Sequence, residues 1–128
     1  MSYLLMFLFG SLGGMSRYGI GLLFQSDGFP YGTLIVNLLG CFVLVIVNEY
    51  MSIATKIPKM IIMAIGTGFI GAFTTFSAFS IDFVRLFKAG EIVLALSYFS
   101  VSLIGSFLMI QLAYYLVHKL LNKRRAKG

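Results

Sequence analysis

Acidic side chains are scarce: the 128-residue chain has four Asp and Glu against ten Lys and Arg. It has one cysteine, one histidine, two prolines and no tryptophan, and each shortage excludes something. A single thiol, Cys41, leaves no internal disulfide framework. His118 and Cys41 lie far apart in sequence, which gives no ligand spacing for a zinc site and no Cys–His pair for nucleophilic catalysis. The four acids, Asp27, Glu49, Asp82 and Glu91, fall near the ends of the long apolar runs, so no paired carboxylates stand inside one. No glycine loop carries the lysine that a phosphate cradle requires. These absences argue against an enzyme, and the lack of a carboxylate within an apolar run argues against a proton-coupled carrier.

What the chain has instead is apolar surface. It is 59% hydrophobic and 11% charged, where a soluble domain has about 25% charged residues. This predicts one integral, all-α membrane domain over residues 1–128, with four spans at about 3–24, 31–50, 59–84 and 92–118. The first run reads as a span and not as a removable signal peptide, because no basic stretch or Ala-x-Ala site frames it. In it, Gly10-x-x-x-Gly14 has the spacing that lets helices approach closely. Arg17 is costly that far inside an apolar run, so it is either an anchor near a vestibule or part of an anion entry route. In the second span Thr33, Asn37 and Gly40–Cys41 recur at helical intervals, giving a small, polar face; Asn37 is either interhelical glue or a pore group. In the last span Tyr98, Ser102 and Ser106 fall at i, i+4 and i+8, a continuous hydroxyl stripe. The basic tail, Lys119, Lys123, Arg124, Arg125 and Lys127, suits anionic lipid and not nucleic acid. Four spans place both termini on one side, where seven basic residues face two opposite, which favours cytoplasmic termini in a cell inner membrane.

The third span holds the unusual stretch, Gly66 to Ser80, inside an uncharged run from Met60 to Ile81. Gly71, Thr74 and Thr75 are poor helix residues placed where the bilayer midplane would fall. A helix break is expected there, and its freed backbone groups must face protein, a cavity or an ion, because lipid cannot satisfy them. Phe76 and Phe79 then share one face of the resumed helix. Hydroxyls, one amide, electropositive ring rims and a half-helix N-terminus all favour negative charge. That inventory points to a path for a small anion.

The chain resembles the Fluc/CrcB family of fluoride channels over essentially its whole length. The resemblance rests on Gly10-x-x-Gly13-Gly14-x-x-Arg17-Tyr18, on Gly32-Thr33-Leu34-x-Val36-Asn37-x-x-Gly40-Cys41-Phe42, and on Gly68-Phe69-x-Gly71-x-Phe73-Thr74-Thr75-Phe76-Ser77-x-Phe79. It implies an antiparallel, dual-topology homodimer, or a pair of homologous subunits of fixed orientation. It also implies two fluoride pores near the subunit interface and a structural, untransported Na+ at its centre. The sodium ligands it implies are the backbone carbonyls of Gly71 and Thr74. The pore groups it implies are Phe76, Phe79 and Asn37, with Tyr98, Ser102 and Ser106 as a hydroxyl track. Thr33 and Arg17 match positions near the vestibule. The implied role is passive export of fluoride from the cytoplasm. Two other classes compete: a small proton-coupled multidrug exporter, which would need a carboxylate where the first span carries Arg17, and a non-conducting assembly subunit that uses its small-residue faces only for packing.

Overall fold

The computed structural model describes residues 2–127, and these contain helices and connections but no strand. Helix α1 covers Ser2–Leu23. Helix α2, Tyr31–Val45, runs through a π-helical segment, Ile46–Met51, into a short final turn, α3, Ser52–Ala54. Next come α4, Lys59–Met63, a second π-helical segment, Ala64–Ile70, and α5, Gly71–Phe73. Helix α6, Phe76–Lys88, and the long α7, Ile92–Lys127, complete the chain.

Three stretches are long and apolar enough to cross a membrane: Tyr31–Ala54, Lys59–Lys88 and Ile92–Lys127. The first expected span is a helix of 22 residues, but Arg17 and its glycines dilute its apolar side chains and it falls outside that set. The connections carry the local signals that end helices. Pro30 and Pro58 precede α2 and α4, and their carbonyls accept from Leu34 and from Ile61 and Ile62. Gly90, with φ of 80°, ends α6: its N–H reaches the Phe87 carbonyl while Glu91 N–H reaches Leu86. This paired closure favours glycine because the residue must be left-handed.

The bundle packs around two buried clusters. Leu34, Leu86, Ala95 and Tyr98 join α2, α6 and α7 at one end, with Phe29, Phe79 and Phe83 against them. Val47, Ile62 and Ile70 form the other, where the two π segments meet. Of the two glycines its sequence spacing singles out, Gly10 lies on the close approach of α1, where a Cβ would stand 3.7 Å from the Gly68 carbonyl, and the tightest contact is at Gly13. A Cβ on Gly13 would overlap the Phe69 carbonyl, and one on Gly68 would lie 2.9 Å from the Met6 carbonyl, whereas Gly14 has open space around it. The seam therefore runs through Gly10, Gly13 and Gly68. The outer faces stay apolar and uncovered: on α7 Leu103, Ile104, Phe107 and Leu108 are all exposed. A surface of this kind belongs in lipid or against another subunit.

Candidate functional site

The site is built where the helical ladder stops. Thr74 (φ −74°, ψ 151°) and Thr75 (φ −149°, ψ 120°) are extended between α5 and α6. Thr74 N–H and hydroxyl both donate to the Ile70 carbonyl, at 2.9 Å each. The two peptide groups of Thr75 that face α2 are held by one side chain. Asn37 Nδ2 donates to the Thr75 carbonyl at 3.0 Å, and Thr75 N–H donates to Asn37 Oδ1 at 2.8 Å. The same Thr75 then caps α6, its hydroxyl accepting from Ala78 N–H at 3.1 Å, which satisfies one of the donors that a helix start leaves free. Asn37 thus acts as interhelical glue, and its second amide hydrogen is left for the groove beside it. Gly40, one turn along α2, has no room for a Cβ because the Thr74 methyl occupies that space.

Around this junction lies a groove of about 540 Å³, lined by Asn37, Cys41, Thr74, Thr75, Phe76, Phe79, Phe99, Ser102 and Ser106 together with leucines. No charged side chain lines it. Phe76 is 81% exposed and its ring centroid is 5.9 Å from that of Phe79, the two tilted by 33°. Phe79 in turn packs on Tyr98 at 5.1 Å and on Phe99 at 6.1 Å. Serines elsewhere in the bundle bond back to their own helix: Ser11 to Phe7, Ser16 to Leu12 and Ser80 to Phe76. Ser102 does not. It is buried and its hydroxyl has no partner among the described residues, and the same holds for the hydroxyl of the fully buried Tyr98. An unmade hydrogen bond at a buried hydroxyl costs about 1–3 kcal/mol, so the Ser102 hydroxyl sits ready for an acceptor in the groove, whereas the Tyr98 hydroxyl lies toward Thr33 and Asp82.

Of the residues singled out from sequence, Asn37, Phe76, Phe79, Ser102 and Ser106 share this groove, and Tyr98 abuts it through Phe79. Thr33 and Arg17 do not line it. Thr33 donates its hydroxyl to Asp82 Oδ2 at 2.7 Å and lines an end cavity of about 290 Å³ with Asp82, Arg85 and Asp27. Arg17 lines a third cleft of about 320 Å³ with Tyr18, Gln25, Thr33 and Thr75, none of them acidic. Among the described residues the one ion pair is Arg85 with Asp82, at 3.7 Å. Two further residues at these sites, Asp82 and Cys41, were not among the site residues singled out from sequence. Spacing held the clue to both: Asp82 follows Phe79 by three positions and Cys41 follows Asn37 by four, so each shares a helical face with a site residue.

The family model described as CrcB-like protein, Camphor Resistance (CrcB), matches residues 4–114. The chain is 46% identical over 123 residues to a Listeria innocua protein named fluoride-specific ion channel FluC 2, covering 96% of this chain and 95% of the relative. A protein of the same name from Listeria monocytogenes serotype 4b is 45% identical over the same shares. Fluoride-specific ion channel FluC 1 of Bacillus thuringiensis subsp. konkukian is 41% identical over 129 residues, 98% of this chain and 94% of the relative. With helices apolar enough to cross the bilayer and matches over nearly its whole length, the chain is a multi-pass cell-membrane protein that belongs to the CrcB family of fluoride channels.

Proposed function

We propose that this protein is a fluoride-selective channel that lets fluoride leave the cytoplasm down its gradient. The observation that carries the reading is the uncharged groove in which the buried, unpartnered Ser102 hydroxyl stands beside phenylalanine rims. A small anion holds its water tightly, so a path must replace that water with donors while binding weakly enough to release the ion. Ser102, Ser106 and the second amide hydrogen of Asn37 supply the donors in the groove, Tyr98 stands behind Phe79 on the Thr33 side, and the edges of Phe76 and Phe79 supply positive potential without charge. Thr33 and Arg17, which share one cleft, then belong to an approach on the same side. The half-helix α6 aims its N-terminus at the groove, which adds a favourable field.

The groove is open along the face that bears the exposed Phe76, and a single subunit cannot close it. A second copy, inserted antiparallel, covers that face and gives two pathways per dimer. In this reading Thr74–Thr75 lies at the bilayer midplane. The Gly71 carbonyl, whose helical donor four residues on is taken by Asn37, and the Thr74 carbonyl are oxygens available to a hard cation. Among the described residues no cluster of three His, Cys, Asp or Glu is present, so a structural Na+ on the dimer axis would be held by these backbone oxygens from both subunits. Its binding is expected to raise the unfolding temperature of the purified protein in sodium chloride above that in N-methyl-glucamine chloride. Equal temperatures would remove the ion.

The direct test is efflux from liposomes holding the purified protein, with valinomycin carrying compensating K+. Fast, ionophore-dependent fluoride release with little chloride release is expected. Phe79→Ile removes the ring rim while keeping an apolar side chain of similar burial, and should slow fluoride release by at least about tenfold, about 1.4 kcal/mol of barrier, with the assembly intact. Undiminished release would remove Phe79 from the pathway.

A further inference from the structure

We propose that the C-terminal end of α7 is a rigid binding site for the phosphate of an anionic phospholipid headgroup, in a cleft formed by Leu120, Lys123, Arg124 and Lys127. The cleft has a volume of about 450 Å³ and no acidic lining residue. The tail cations form no ion pair among the described residues, and Glu49, next in sequence to the Tyr50 that Arg124 covers, accepts from the Tyr114 hydroxyl at 3.5 Å.

What makes this a site and not a frayed basic tail is how the helix is held. Val117 and Leu121 are buried, at 2% and 8% exposure, so α7 stays packed on the bundle a full turn past the end of its uncharged run. Arg124 continues the same face at the i+7 position. Its guanidinium stacks over the Tyr50 ring at 5.4 Å and donates Nη1–H to the Ala54 carbonyl at 3.3 Å. One tie is apolar and aromatic, the other polar, and together they fix the helix against the end of the second span. Lys123 and Lys127, four apart, then point from a fixed backbone along one side.

Depth selects the occupant. The uncharged run of α7 ends at Val117, and the cleft residues follow three to ten positions later, about 4–15 Å further along the helix at about 1.5 Å per residue. The headgroup layer occupies roughly the 5–8 Å outside the hydrocarbon core on each side. Lys123 and Arg124, about 9–11 Å along the helix from Val117, therefore stand just outside that layer, and their long side chains reach back to lipid phosphates, while Leu120, on the membrane side, meets the first methylenes of an acyl chain. A phosphate diester that keeps its net negative charge matches three cations and one apolar contact. A zwitterionic headgroup brings its own ammonium into a cleft that is already cationic.

This inference rests on the membrane placement of the chain and not on which ion passes through it, so a failed flux assay would leave it standing. The test is native mass spectrometry of the full-length protein in detergent, titrated with phosphatidylglycerol or phosphatidylcholine of matched chains. Phosphatidylglycerol is expected to be retained at least about tenfold more tightly, about 1.4 kcal/mol, and the Lys123→Gln/Lys127→Gln double variant should lose most of that preference. Millimolar inorganic phosphate should not displace the bound lipid. Lys88→Gln, which removes a cation at the far end of α6, should bind as the wild type does. Equal retention of the two lipids, an unchanged preference in the double variant, or ready displacement by inorganic phosphate would each overturn the proposal.

Discussion

Replacing Asn37 by aspartate is expected to abolish fluoride efflux and to lower the thermal stability of the protein in the same step. The side chain keeps its size, and one oxygen can still accept from Thr75 N–H, which now lies 2.8 Å from Asn37 Oδ1. The other atom changes from donor to acceptor. It would stand about where Nδ2 now lies, 3.0 Å from the Thr75 carbonyl, so two oxygens would face each other in a partly buried site. Losing that bond and leaving the Thr75 carbonyl without its donor costs about 1–3 kcal/mol, and more where the new group is charged. The carboxylate would also add fixed negative charge to an anion path that has none. Unfolding temperature and efflux should be measured on the same preparation. Lost efflux with wild-type stability would make Asn37 a pore group alone, and wild-type efflux would remove it from the pathway.

The second large effect concerns a residue with no role in ion contact. Gly13→Ala is expected to prevent recovery of monodisperse protein, or to lower its unfolding temperature sharply, because the new methyl meets the Phe69 carbonyl on the facing π segment. That neighbour is backbone and cannot rotate away, so the helices must separate. Overpacking of this kind typically costs about 1–3 kcal/mol and sometimes more, and here the shift would be transmitted to the segment leading into Thr74. Gly14→Ala is the internal control. Nothing lies within 4 Å of its Cβ position, and alanine is the better helix former by about 1 kcal/mol, so the variant should be neutral or slightly more stable. If Gly13→Ala and Gly14→Ala behaved alike, the seam between α1 and the π segment would be wrongly drawn.

Much of the architecture was legible from residue order, because its causes are local. Uncharged runs long enough to span a bilayer mark the helices from Tyr31 and Ile92 onward, Gly90 marks the end of α6, and Gly71 with Thr74 and Thr75 marks where helical propensity gives out. The groups an anion would need, ring rims and hydroxyls, could be named from composition and spacing alone. Which of them face one another could not. Asn37 meets Thr75 across 38 positions and Thr33 meets Asp82 across 49, contacts that no periodicity within one helix encodes. The two π segments, at Ile46–Met51 and Ala64–Ile70, each add a residue to a turn and so rotate every later side chain by about 100° relative to a regular helix. The seam itself runs through Gly10, Gly13 and Gly68, where spacing alone pointed to Gly10 and Gly14. Sequence by itself determined how much of the chain must leave water, and roughly where each helix starts and stops, since transfer energy and backbone propensity act residue by residue. Only the tertiary structure decided which polar groups are consumed in holding Thr75 and which, like the Ser102 hydroxyl, are left without a partner, since hydrogen-bond satisfaction depends on the neighbour that packing brings within about 3 Å.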